Sequence, residues 1–110
     1  MKEILQTEVF RRWEKTLIDR RAKTLIATRL FRLANDLSGD AKPVGEGVSE
    51  LRIHYGPGYR IYYKQQGNLI IILLCGGDKH SQESDIILAK KLSNSITNQE
   101  TFIDEQPYPL

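Results

Sequence analysis

The stretch Glu50–Lys64, ELRIHYGPGYRIYYK, decides the fold of this chain. Apolar and polar residues alternate on both sides of Gly56-Pro57-Gly58, a pattern typical of a β-hairpin around a turn. With Tyr55 placed opposite Tyr59, one face of the hairpin is apolar. That face holds Leu51, Ile53, Tyr55, Tyr59, Ile61 and Tyr63. The stretch therefore predicts a sheet with one face directed towards a core.

The other face of the hairpin collects polar side chains suited to nucleic acid. It carries Arg52, His54, Arg60, Tyr62 and Lys64. Cations bind phosphate, an imidazole transfers protons near neutral pH, and a phenol ring stacks on a base. This face predicts the binding of a phosphodiester, and its cleavage is the further hypothesis.

Two amphipathic helices are predicted before the hairpin. A short strand over residues 2–5 precedes them. Apolar residues recur at three- to four-residue spacing over about residues 7–18 and again to about residue 36. Asp19 is a candidate N-cap for the second helix. Residues 38–47 contain glycines and a proline, and are expected to form a loop.

A central strand and a last helix are predicted after the hairpin. The run Leu69–Cys75 is continuously apolar, which is typical of a strand buried on both faces. Ser81 is a candidate N-cap for a helix to about Ile96. The predicted fold class is α+β, a small antiparallel sheet in the order β-α-α-β-β-β-α. Two helices are expected on one face and the C-terminal helix on part of the other.

Size and composition indicate one globular domain. The 110 residues are 40% hydrophobic and 27% charged, which suits a single core over residues 1–99. Residues 100–110 form an acidic, proline-containing tail that is expected to be loosely held. Three of the 14 acidic residues lie in this tail. Without them 16 basic residues face 11 acidic ones, a net charge of +5, which weakly favours an anionic partner.

Several kinds of site are disfavoured by composition and motifs. One cysteine, Cys75, and two histidines, His54 and His80, are too few for a disulfide or a structural zinc site. No P-loop, dinucleotide fingerprint or nucleophile elbow is present, so no metal and no cofactor are expected. The apolar run Leu69–Cys75 is far shorter than the ~20 residues of a membrane span. We therefore expect a cytoplasmic protein without a signal peptide.

Sheet geometry is expected to bring the polar groups together. The predicted register sets His54 opposite Arg60 and Arg52 opposite Tyr62. An antiparallel strand from Leu69 returns the segment Gly76–Lys79 towards Arg60. The candidate catalytic residues are Arg52, His54, Arg60 and Lys79. The candidate RNA-binding residues are Tyr62, Lys64 and His80.

RNA is a suitable substrate for such a patch because it carries its own nucleophile, the 2′-hydroxyl. A metal is not needed when one group accepts the hydroxyl proton and cations stabilise the charge that builds on the phosphate. The group that moves the proton stays open among His54, His80, Lys79 and Tyr62.

The same arginines also have a purely structural interpretation. Arg52 and Arg60 are equally explained as ion-pair partners of Glu50 or Asp78. The arginines of the second predicted helix are more simply a solvated face than an RNA-binding surface. Both interpretations of the hairpin face remain open at this point.

The chain also resembles a known family. The resemblance is carried by the runs Gly47–Arg52, Gly56–Tyr63 and Leu73–Lys79, with the later residues Gln82, Asp85, Ile86 and Ala89. Over about residues 1–97 the chain is similar to the HigB-like branch of the RelE/ParE toxin superfamily.

This resemblance implies the toxin of a bacterial type II toxin–antitoxin pair. Such toxins are typically metal-independent endoribonucleases that cut messenger RNA, often on the ribosome, and so inhibit translation. The family's basic residues match Arg52, Arg60 and Lys79, and its fold is a microbial-ribonuclease-like sheet with helices. The implied partners are messenger RNA, the ribosome and a cognate antitoxin, often of the helix-turn-helix type. Operator DNA is then contacted only through the antitoxin.

Two other functions belong to the same superfamily or fold. One is a gyrase inhibitor that acts by protein contact, because fold alone does not determine the target. The other is an inactive relative that regulates its own operon together with the antitoxin. A cationic face that carries a histidine favours the ribonuclease.

Overall fold

The computed structural model describes residues 1–98 and 102–104, which form an α+β fold as predicted. The elements in chain order are β1 (Glu3–Thr7), α1 (Glu8–Lys15), α2 (Arg20–Ala34), β2 (Ala41–Gly45), β3 (Val48–Ile53), β4 (Tyr59–Gln66), β5 (Ile70–Gly77), a single 3-10 turn (Lys79–Ser81), α3 (Gln82–Asn98) and β6 (Phe102–Asp104). The six strands of the described residues join one sheet in the order β2-β3-β4-β5-β1-β6. Because β1 pairs in parallel with β5, the sheet is mixed rather than antiparallel.

The number and order of the strands differ from the prediction. The segment 38–47, expected to be a loop, contains β2, which pairs antiparallel with β3 at the edge of the sheet. Pro43 is tolerated in this strand because an edge strand has a neighbouring strand on one side alone. On its open side no backbone N–H is needed, so the N–H that proline lacks is not missed. At the other edge, β6 pairs antiparallel with β1. The rest of the expected loose tail lies outside the described residues.

Side-chain caps fix where the helices begin. Thr7 caps α1 by accepting a hydrogen bond from the backbone N–H of Phe10 at 3.1 Å. Asp19 caps α2 as predicted. The expected N-cap Ser81 instead lies within the 3-10 turn, which is capped by Asp78. The carboxylate of Asp78 accepts hydrogen bonds from two successive backbone N–H groups, and the turn then leads into α3.

Two cores lie on opposite faces of the sheet. Helices α1 and α2 cover one face, where Phe10, Ile26 and Leu30 pack against Leu51 and Ile61. Helix α3 covers part of the other. There the buried set is Val48, Tyr62, Ile72, Leu74, Cys75, Ala89 and Ile96. The predicted layering of the helices is therefore confirmed. The strand predicted over Leu69–Cys75 is also confirmed, as β5 at Ile70–Gly77, and its middle is buried on both faces. Within the described part of the chain, no helix is long and apolar enough to cross a bilayer.

The glycine pair at the end of β5 allows close packing of the helices. A methyl group at Gly76 would lie 2.3 Å from the ring of Trp13 on α1, and one at Gly77 would lie 1.8 Å from Oδ2 of Asp85 on α3. Glycines can also serve to let the backbone approach a ligand closely. In the structure the space beside each glycine is already occupied by a side chain of the same protein.

We expect Gly76→Ala to lower the free energy of unfolding by about 1–3 kcal/mol, because the new methyl group overpacks the contact with Trp13. Urea denaturation measures the loss. In a Trp13→Leu background the same change is expected to cost less, since the ring that it meets is gone. Equal costs in both backgrounds would show that the ring contact is not the cause.

Candidate nucleic-acid interface

The hairpin turn is wider than predicted. Arg52 pairs with Arg60 and Ile53 with Tyr59, so the predicted pairs His54–Arg60 and Arg52–Tyr62 are wrong by two residues. The turn is closed by hydrogen bonds from the N–H of Tyr55 to Ile53 and from the N–H of Gly58 to Tyr55. Gly56 and Gly58 adopt φ values of 57° and 81°, which glycine adopts without strain. A shift of two residues preserves the alternation, so the predicted apolar face is retained.

An open hollow of about 410 Å³ lies between this turn and the 3-10 turn. Its lining residues are His54, Tyr55, Gly56, Pro57, Gly58, Arg60 and Lys79. Arg60 is paired with Gly77 across β4 and β5, so the chain that leaves β5 reaches the hollow within two residues. Gly58 lies close to the side chains of both Arg60 and Lys79. A methyl group there would be 3.1 Å from Nη1 of Arg60 and 3.5 Å from Cβ of Lys79.

Arg60 lines the hollow and lies beside a buried carboxylate. Its side chain is 11% exposed, and its Nε lies 3.8 Å from Oε2 of Glu50, which is fully buried. Nη1 of Arg60 also donates a hydrogen bond of 2.8 Å to the carbonyl of Gly58. The same Oε2 accepts hydrogen bonds from the hydroxyl of Tyr62 at 3.0 Å and from Nε2 of Gln82 at 2.8 Å. The guanidinium therefore has a fixed position.

The prediction that Tyr62 lies on the exposed face is wrong. Its side chain is completely buried, because α3 covers this part of the sheet. Burial and the hydrogen bond to Glu50 raise the pKa of Tyr62 well above its ordinary value. The ring is not accessible to a base, and the hydroxyl does not give up its proton near neutral pH.

A carboxylate that sequence reasoning missed, Asp40, links two of the candidate residues. Its Oδ1 accepts hydrogen bonds from Nε and Nη2 of Arg52 at 3.3 and 3.2 Å. Its Oδ2 contacts Nε2 of His54. The hydrogen bond from His54, followed by that from Arg52, lowers the pKa of the Asp40 carboxyl group. The carboxylate therefore stays ionised below the usual aspartate range.

The structural interpretation of the arginines is partly right. Arg60 pairs with Glu50, as that interpretation suggests, whereas Arg52 pairs with Asp40 and not with Glu50 or Asp78. Like charges directly opposite each other on neighbouring strands are destabilising. Each guanidinium of the Arg52–Arg60 pair has its own carboxylate, which offsets this cost.

Two further candidates lie away from the hollow. Lys64 is four residues beyond Arg60 on β4, ~13 Å along the strand, and pairs with Val48 and Ile72. His80 lies beside a second depression formed by the 3-10 turn and the start of α3. Lys79 lines both depressions. The structure therefore brings together Arg60, Lys79 and His54. Arg52, a predicted catalytic residue, is bound to Asp40 and is not among the residues that line the hollow.

Comparison with known proteins finds a relative of the whole domain. Over 94 residues the chain is 45% identical to an uncharacterized protein of Haemophilus influenzae, and the match spans 86% of this chain and 95% of that protein. The two proteins belong to one family. No family model matches the chain. Since the description of the relative assigns no activity, a proposal about function depends on the geometry of the hollow and on the sequence motifs.

Proposed function

We propose that this protein is the toxin of a bacterial type II toxin–antitoxin pair. It acts in the cytoplasm as a metal-independent endoribonuclease that cuts messenger RNA on the ribosome and inhibits translation. The observation that carries the proposal is the convergence of Arg60, Lys79 and His54 on one open hollow. The resemblance to the HigB-like branch of the RelE/ParE superfamily supports the same function.

The groups of the hollow suit cleavage by the RNA's own 2′-hydroxyl. A phosphate in the hollow meets the Arg60 guanidinium and the Lys79 ammonium. The 2′-oxygen loses its proton to a base and bonds to the adjacent phosphorus, and the bond from phosphorus to the 5′-oxygen breaks. That oxygen takes up a proton, which Lys79 can donate. The products are a 2′,3′-cyclic phosphate and a 5′-hydroxyl end.

The proposed partners follow from this activity. A cognate antitoxin, of the helix-turn-helix type common in this branch, would neutralise the toxin by covering the cationic hollow. Contact with operator DNA would then be made by the antitoxin and not by this chain.

Induction of the protein without antitoxin, followed by transcriptome-wide mapping of RNA 5′ ends, tests the proposal. New 5′-hydroxyl ends within translated messages are expected within minutes of induction. Growth arrest with intact messages and a DNA damage response would instead indicate a gyrase inhibitor. Unchanged growth and unchanged RNA would indicate an inactive relative.

Lys79→Ala is expected to slow cleavage of a message on purified ribosomes by about 10–100-fold. This is less than the ~10²–10³-fold typical of a desolvated donor, because an exposed ammonium is hydrated. Lys79 is exposed, so the variant should fold as the wild type does. Lys91→Ala, which removes an exposed lysine from α3, is the matched control and should cleave normally. Equal rates for both variants would remove Lys79 from the site.

A further inference from the structure

We propose that His54 is the proton acceptor of the cleavage reaction and that Asp40 positions its ring, so that the two residues act as a dyad. This inference rests on the proposed ribonuclease function and identifies the group that moves the proton. It assigns a role to Asp40, a residue with no sequence motif of its own.

The geometry disfavours the other candidate bases. Tyr62 is buried and its hydroxyl is bound to Glu50. His80 lies beside the second depression, and its ring has no hydrogen-bond partner within residues 1–98. Lys79 carries a positive charge and suits the opposite task of donating a proton. His54 is the one imidazole that lines the hollow, and its side chain is 72% exposed to an incoming RNA.

Asp40 is held in place by two elements, β3 and α2. The backbone N–H of Arg52 on β3 donates a hydrogen bond of 2.9 Å to the carbonyl of Asp40. Arg29 on α2 spans the same junction: its Nη1 donates to the carbonyl of Arg52 at 2.7 Å and its Nη2 to that of Ser38 at 3.2 Å. The segment that carries Asp40 is therefore attached to both β3 and α2. Because its backbone is held in this way, the Asp40 carboxylate can orient the ring of His54.

The role of each ring nitrogen of His54 follows from which of them is hydrogen-bonded to Asp40. Nε2 of His54 contacts Oδ2 of Asp40, so the neutral ring that donates this proton has its lone pair on Nδ1. Nδ1 accepts the proton of the 2′-hydroxyl as the 2′-oxygen bonds to phosphorus. The bond to the 5′-oxygen breaks, and that oxygen takes a proton from Lys79. The imidazolium that results is stabilised by the Asp40 carboxylate.

The charges around the ring favour this division of roles. Asp40 faces His54 from the segment before β2, and Arg52 on β3 occupies the other oxygen of the same carboxylate. Arg60 on β4 and Lys79 on the 3-10 turn line the hollow with His54. Arg60 and Lys79 can bind the scissile phosphate. The imidazole of His54 is therefore not needed for phosphate binding and can accept the proton of the 2′-hydroxyl.

Cleavage of a message on purified ribosomes, measured under single-turnover and steady-state conditions, tests the dyad. His54→Ala is expected to slow the single-turnover chemical step by about 10²-fold. Asp40→Asn keeps the imidazole but removes the carboxylate that orients it, and should lower kcat by about 10–100-fold with KM unchanged. Asp36→Asn, which removes a carboxylate paired with Lys2 away from the hollow, is the matched control and should cleave normally.

A double-variant cycle separates the dyad from a role of Asp40 through Arg52. If Asp40 acts through His54, Asp40→Asn in a His54→Ala background costs less than twofold more. A further tenfold loss in that background would overturn the inference. Nitrogen NMR gives a second measurement, since the chain has two histidines and His80→Asn assigns the signals. A proton on Nε2 of the neutral His54 ring is expected in the wild type, and a mixture of tautomers in Asp40→Asn.

The outcomes distinguish this inference from the proposed function. A wild-type protein that leaves RNA intact overturns the ribonuclease proposal and the dyad with it. A wild-type protein that cleaves, together with normal cleavage by His54→Ala, overturns the dyad alone.

Discussion

Glu50→Ala is expected to lower the free energy of unfolding by about 3–5 kcal/mol, the usual cost of removing one partner of a buried ion pair. The variant leaves the Arg60 guanidinium, 11% exposed, without its carboxylate. It also removes the acceptor of the Tyr62 hydroxyl and of the Gln82 amide. A domain of this size has a total stability of about 5–15 kcal/mol, so the loss is a large fraction of it. Urea denaturation followed by circular dichroism measures the change.

Glu8→Ala is the matched control for this prediction. The Glu8 carboxylate lies 3.8 Å from Nε of Arg12, the same separation as between Glu50 and Arg60, but both side chains are more than half exposed. An exposed pair contributes about 0–1 kcal/mol. The two variants therefore remove ion pairs of equal separation, which differ in burial and in the two further hydrogen bonds that Glu50 accepts. Similar losses in both would show that the buried network does not hold the fold together.

A second substitution tests why Glu50→Ala destabilises the protein. Adding Arg60→Met removes the guanidinium that is left without a partner, and should restore part of the lost stability. No recovery in the double variant would assign the loss to the cavity and to the unpaired Tyr62 hydroxyl instead.

The alternation of the hairpin predicted which residues form the core. Leu51 and Ile61 lie on the apolar face as expected, and the register error of two residues did not change this because side chains alternate with period two. Strand β2 was missed because its sequence lacks such an alternation. Ala41–Gly45 contains a proline and a glycine and has no alternation of its own, so its strand conformation comes from pairing with β3.

The candidate site was predictable where it depends on the sheet alone. Arg60 and Lys79 converge because β4 and β5 are antiparallel neighbours, which the order of the strands implies. The position of Tyr62 depends on how far α3 extends over the sheet, and no local pattern encodes that. Asp40 was missed because it meets His54 across 14 residues, from a segment that the sequence identifies merely as irregular.

Arg60→Lys is expected to slow RNA cleavage by about 10²–10³-fold while the protein stays folded. Lysine retains a positive charge beside Glu50, so the buried carboxylate keeps a partner. It lacks the planar fork of N–H groups with which a guanidinium binds two phosphate oxygens at once. Arg60→Ala would be a poorer test, because it leaves the buried Glu50 carboxylate without a cationic partner and destabilises the protein. A loss of activity could then not be separated from unfolding.

The control for this substitution is Arg12→Lys, which makes the same exchange on an exposed arginine of α1 and should leave cleavage unchanged. Single-turnover rates and urea midpoints are measured on the same preparations, so that activity is compared at equal folded fractions. A fall in rate for Arg60→Lys alone, at a similar midpoint, is the expected result. Wild-type rates in a folded Arg60→Lys protein would mean that the guanidinium serves the buried network with Glu50 and does not bind the scissile phosphate.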